Sequence, residues 1–254
     1  MKKLTLILTL ILGLLFLNSC KTNSEDEKGS LTIKFSHLID NNEIIFDSII
    51  YVNEAGNRYE VNEIQYFISD LSLISNSGEK HNLINDQSIH YIDSDIPETM
   101  QWLASNDLPV TKYDSLVFTF GLSEANNTSF RFVNPPERDM VWPELLGGGY
   151  HYMKLNCKWL DPNSDRKNAN FHLGIAKKSS TEFKHYYFKV TLPINLNAKA
   201  DDSNTITLVM NVQNWFKNPN VWDWNVIGGG IMDNHDAIKM GCENGHDVFS
   251  IKTN

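Results

Sequence analysis

The chain has 254 residues, with 22 basic and 31 acidic side chains and a net charge of −9 when histidine is neutral. That balance argues against nucleic acid as a partner, because binding a phosphate backbone needs a basic face. The length suits one large all-β domain or two small ones, and the absence of a Pro/Gly/Ser-rich linker or an internal repeat favours one.

The chain starts Met1-Lys2-Lys3, runs apolar from Leu4 to Leu17 and reaches Ser19-Cys20. The apolar run is shorter than the roughly 20 residues that span a bilayer. With a basic start and a small residue before cysteine, it predicts a lipoprotein signal over 1–19 that is cleaved to leave a lipidated Cys20. Acyl chains on that cysteine hold a protein to a membrane surface. Residues 20–30 include Glu25-Asp26-Glu27 and read as a solvated tether. Such acidic tethers resemble those of Bacteroidota lipoproteins displayed on the cell exterior, so an outer-membrane lipoprotein is expected, at the cell surface or on the periplasmic face. Loss of Lys2 and Lys3 leaves 20 basic residues and a net charge of −11. Cys157 and Cys242 remain in an oxidising compartment, which suggests a disulfide between them; two buried thiols or a thiolate ligand are the alternatives.

From residue 31 to 254 the pattern is one of short strands. Leu31, Ile33, Phe35 and His37 alternate with Thr32, Lys34 and Ser36, which predicts a half-buried strand with His37 pointing inward. Strands are also predicted at 43–52 and 59–61 around a turn at Asn53–Asn57, then at 64–74, 88–93 and 113–121. Pro97 and the acidic residues around it predict a helix that buries Met100 and Leu103 and stops near Asn106. Residues 125–144 are broken by Asn134-Pro135-Pro136 and Trp142-Pro143 into a long loop, and loops of that length are usually functional or mobile. Strands follow at 150–159, 170–176, 185–192 and 205–212. In the first, His151 shares a face with Met153, Leu155, Cys157 and Trp159. In the second, His172 shares one with Gly174 and Ala176, a side with room for a ligand. A helix over 231–242 places His235 beside Ile231, Ile238 and Cys242, and 247–251 closes the chain. At least nine strands and two short helices indicate an antiparallel β-sandwich or a related barrel.

No Gly-x-Ser-x-Gly elbow, phosphate-binding loop, His-Glu-x-x-His or Cys-x-x-Cys occurs, so no enzyme class is marked. What remains is a soft-ligand set around Met140-Val141-Trp142 and Gly147-Gly148-Gly149-Tyr150-His151. Phe171-His172-Leu173-Gly174 answers it downstream, provided the two strands are neighbours. Imidazole and thioether suit copper, Cu(I) above all. A calcium site in an acidic loop is a further option, though no spacing marks it. Trp215, Trp222 and Trp224 either cap the core or form an aromatic platform for glycan or a protein partner, which would make the chain a metal-free binding module.

Several phrases occur in a familiar order: Phe35-x-His37, Tyr66-Phe67-Ile68-Ser69-Asp70-Leu71, Phe120-Gly121-Leu122, Met140-x-Trp142, Gly149-Tyr150-x-x-Met153-Lys154-Leu155 and Phe171-His172-Leu173-Gly174. Together they resemble the MbnP-like family, the methanobactin-associated periplasmic proteins and their lipoprotein relatives, over most of residues 31–250. The resemblance implies a β-rich copper-binding protein that is not an enzyme, working with a di-haem peroxidase-like protein or an outer-membrane transporter. It implies that Trp142 can be oxidised to kynurenine and that His37 and His172 are metal ligands. His151 joins them on its position, and Met140 and His235 are further candidates.

Overall fold

The computed structural model describes residues 28–83 and 89–252. The signal segment, Cys20 and the acidic stretch that follows it lie outside these residues. Fifteen strands occur in chain order: β1 (Lys28–Ile39), β2 (Asn42–Glu43), β3 (Tyr51–Val52), β4 (Arg58–Ser75), β5 (Lys80–Asn82), β6 (Ile89–Asp93), β7 (Gln101–Pro109), β8 (Lys112–Phe120), β9 (Met153–Leu160), β10 (Arg166–Leu173), β11 (Ile175–Lys177), β12 (Phe183–His185), β13 (Phe188–Asn197), β14 (Ser203–Asn211) and β15 (Phe249–Ile251). One sheet runs β15-β14-β1-β2, with β7 also on β1. A larger one runs β10-β9-β4-β8-β13, with β3, β5 and β6 on β4, and β11 pairs β12 alone. All pairings are antiparallel except β1 with β14.

The two large sheets pack face to face, as alternation predicts. Leu31, Ile33, Phe35, His37 and Ile39 of β1 are buried while the residues between them are not. Across the interface Phe249 meets Phe118, Phe120 and Tyr66, with ring centroids 5.3, 5.7 and 6.3 Å apart. Burying each such aromatic stabilises the fold by roughly 1.5–3 kcal/mol. One long strand, β4, holds the larger sheet together, and a bulge between Val61 and Glu63 shifts its register with β9 by one residue.

Two helical pieces follow β14: α1 (Trp224–Ile227), capped by Asp223, and α2 (His235–Asn244), capped by Asn234. The helix expected from Pro97 to near Asn106 is a single 3₁₀ turn, Pro97–Met100, that runs straight into β7. Pro97 starts the turn as its fixed φ allows, but pairing with β1 captures the next nine residues as strand. The strand β1 also starts at Lys28, inside the stretch expected to be tether.

The aromatic platform is not on the surface. Trp215 and Trp222 are fully buried and Trp224 is 2 % exposed. Phe171 lies between the first two, with centroids 5.9 and 4.7 Å away, and Trp224 packs on Phe216 at 4.8 Å. All three tryptophans belong to the hydrophobic core. The disulfide is not formed either: Cys157 and Cys242 are free and buried. Cys157 faces the core from β9 next to Tyr59, and Cys242 lies on α2 next to Tyr152, so the two thiols sit at different places in the core. Burial pushes both thiols well above their ordinary range.

Candidate metal centre

The hairpin of β9 and β10 sets out the site. In its register His172 lies opposite Lys154, Asn170 opposite Asn156 and Leu173 opposite Met153. Met153, Leu155, Phe171 and Leu173 turn into the core. Lys154, Asn156 and His172 therefore turn to the outer face of the larger sheet.

The irregular segment before β9 covers that face. Within it the Trp142 amide donates to the Gly149 carbonyl and the His151 amide to the Met140 carbonyl, both at 2.8 Å. This two-rung ladder brings Trp142 and His151 together. Gly149 occupies the left-handed region at φ +75°, and a side chain there would meet Asn127 Oδ1 at 2.6 Å. That close approach lets Asn127 Oδ1 accept from the Tyr150 amide at 2.7 Å. The Tyr152 amide donates to the Leu173 carbonyl at 2.8 Å and ties the segment to β10.

The His151 and His172 rings meet edge to face with centroids 5.1 Å apart, and Trp142 meets His151 in the same way at 4.7 Å. Hydrogen bonds fix each tautomer. His151 Nδ1 lies 2.9 Å from the Met140 carbonyl oxygen, which only accepts, so Nδ1 carries the proton. His172 Nε2 lies 2.7 Å from Asn156 Oδ1, and Asn156 Nδ2 donates to Glu63 Oε2 at 2.7 Å, so His172 carries its proton on Nε2. The remaining atoms, His151 Nε2 and His172 Nδ1, are buried without a hydrogen-bond partner. Two imidazole lone pairs on touching rings, each oriented from behind by an acceptor, are what a metal bound by histidine requires. Among the described residues no group of three or more His, Cys, Asp or Glu is placed to hold a metal ion. The two unpartnered ring nitrogens are neutral imidazole donors, a ligand type that suits copper, zinc, iron or nickel.

Burial pushes His151 down to about 3, helped by the neighbouring His172 and Lys154 and opposed by the Met140 carbonyl. Burial and then Lys154 bring His172 down to about 4. His37 is lowered to about 4 by burial alone. These bases bind protons more readily in the unfolded chain, where they titrate near 6.5, so stability is full above that pH and is lost as pH falls from about 6.5 towards 3–4. Acid unfolding should accordingly set in below pH 6 and take up about three protons. Replacing His37, His151 and His172 together with glutamine would remove that uptake, as potentiometric titration against urea stability would show.

The structure brings together His172, His151 and Trp142, with Met140 contributing its backbone carbonyl. His37 is inward, as expected, but on the other sheet: its Nε2 lies 3.3 Å from the Tyr66 hydroxyl, on the core side of β4. His235 is also elsewhere, with Nε2 3.0 Å from the Tyr186 hydroxyl and Nδ1 2.9 Å from Asp236. The expected shared face for His151 with Met153 and Leu155 does not form, because β9 begins only at Met153 and the backbone before it turns His151 outward. No role is assigned to Asn156 or Glu63 from the sequence, and Lys154 enters there only within a family phrase. The polar residues alternating with Met153, Leu155 and Cys157 were the available signal.

The MbnP family model matches residues 28–233. Among solved structures, MbnP from Methylosinus trichosporium aligns with a TM-score of 0.57 at 13% identity, covering 87% of this chain and 97% of that one. At that identity the likeness concerns the fold. No curated protein matches the chain. The chain belongs to the MbnP family.

Proposed function

We propose that this protein binds copper as cargo, in the Cu(I) state, through His151 Nε2 and His172 Nδ1 with Trp142 beside them, and that it acts as a binding protein without catalytic activity. The observation that carries this reading is the pair of buried imidazole nitrogens without partners on adjoining rings. A buried polar atom without a partner costs roughly 1–3 kcal/mol, a cost that a bound ion removes. Neutral imidazoles suit copper, and the low proton affinity of both rings keeps them ready to bind at any pH above about 5. Family membership supports the reading.

The intact indole of Trp142 gives no lone pair to the site, since its nitrogen pair belongs to the aromatic system, and its N–H donates to the Leu146 carbonyl at 3.1 Å. Oxidation of Trp142 to kynurenine by a di-haem peroxidase-like partner, with peroxide supplying oxygen and the ring carbon next to nitrogen leaving as formate, would expose an aryl amine beside His151. Peptide masses over Met140–Leu155, with and without the partner, test that step, and an unmodified peptide in both would refute it.

For copper itself, anaerobic titration with Cu(I) against a bicinchoninate competitor should show one tightly held equivalent. The imidazole resonances of His151 and His172 should shift and those of His37 should stay in place. Loss of all copper to the competitor, or shifts confined to other histidines, would remove this reading.

The signal-like segment ending at Cys20 supports an outer-membrane lipoprotein, a position from which copper could pass to a transporter. Cys20→Ser should move the mature protein from membrane to soluble fractions; retention in the membrane would contradict the anchor.

A further inference from the structure

We propose that Lys154 makes this centre selective for a monovalent ion, by placing a fixed positive charge beside a pair of neutral ligands. The inference rests on the metal-binding reading above and adds what decides the ion's charge.

The geometry is specific. Lys154 lies directly across the hairpin from His172, on the same outward face. Its Nζ donates to the Asp139 carbonyl at 2.7 Å, and the next carbonyl along, that of Met140, holds His151 Nδ1. One turn of backbone, Glu137–Met140, thus anchors the ammonium and one of the two ligands side by side. Half-buried and tethered, the ammonium has little freedom to swing away.

The charges facing Lys154 are Glu63, Asp93 and Asp139. Each has a partner of its own, and Glu63, through Asn156, stands behind His172. Glu63 accepts from Asn156, Asp93 accepts from Gln65 and Tyr91, and Asp139 pairs with Arg138 at 3.1 Å. Lys154 is the charged side chain whose influence reaches both imidazoles. Sites that hold divalent ions commonly supply anionic ligands, whereas this one presents neutral nitrogens and a cation. Repulsion between that cation and a bound ion doubles when the ion carries two charges instead of one.

Ag(I) and Zn(II) share a closed d shell and differ in charge, so their competition isolates the effect. Affinities are measured for the full mature chain, with His151 and His172 imidazole shifts confirming where each ion binds. Lys154→Gln should raise Zn(II) affinity about tenfold relative to Ag(I), while Lys154→Arg, which keeps the charge, should leave the ratio within about twofold. An unchanged ratio in Lys154→Gln, or equal changes in Gln and Arg variants, would overturn the selectivity role and leave the metal site standing. Failure of the parent protein to bind Ag(I) at the two histidines would overturn both.

Discussion

Alanine at His151 or at His172 should lower Cu(I) affinity by more than about 100-fold, while His37→Ala should leave it within about threefold. Each of the first two variants removes one of two donor atoms, and loss of groups that merely orient a ligand already costs roughly 10- to 100-fold. His37 reaches only the Tyr66 hydroxyl from the opposite sheet. Because His172 projects from the outer face of β10, its alanine variant should melt within a few degrees of the parent, separating loss of a ligand from loss of fold. Asn156→Leu should fall between these cases, since it frees His172 to change tautomer without deleting the ring. Competition titration and calorimetry on the same samples check all four. Parent-like copper binding by both His151→Ala and His172→Ala would sink the assignment.

The second large effect is expected at Gly174. A methyl group there would stand 2.6 Å from Cε3 of Trp142 and 2.8 Å from two further indole carbons. The indole is fully buried and pinned by its bond to the Leu146 carbonyl, so it cannot retreat. Overpacking of this kind costs roughly 1–3 kcal/mol, and in a domain of this size Gly174→Ala should lower Tm by roughly 3–10 °C. His151, which packs edge-on against the same indole, should lose its position, so copper affinity should drop as well. Leucine at position 142 in the Gly174→Ala background would relieve the clash and recover part of the Tm. A Gly174→Ala protein with parental Tm and affinity would show that Trp142 has room to move and is not a fixed wall of the centre.

Where one side chain's alternation sufficed, the sequence was legible. Phe171-His172-Leu173-Gly174 places His172 and Gly174 outward against two core residues, and the structure uses Gly174 to seat Trp142. The inward position of His37 is equally plain from β1. Alternation, however, does not say which sheet a strand joins, and His37 falls on the wrong one to meet the pair. His151 escaped because its direction depends on a backbone ladder between Met140 and Gly149, which no periodicity records. The helix expected from Pro97 to near Asn106 failed for a related reason: local signals for a first turn were right, and pairing of Gln101–Pro109 with β1 overrode what should have followed. Three tryptophans within ten residues could equally mark a surface or a core, and only packing around Phe171 and Phe216 decides between them.

The outward placement of the imidazole pair has a consequence for descent. His172 takes no part in the apolar packing between the sheets, and His151 is held by the segment lying over the sheet, so either ring can be replaced without opening that core. A lineage can change one ring, then the other, with every intermediate still folded. The converse also holds. Residues at 154, 156 and 172 share one solvent-side face of a stiff hairpin, so a new set of ligands can be tried there by point mutation while the aromatic core stays as inherited.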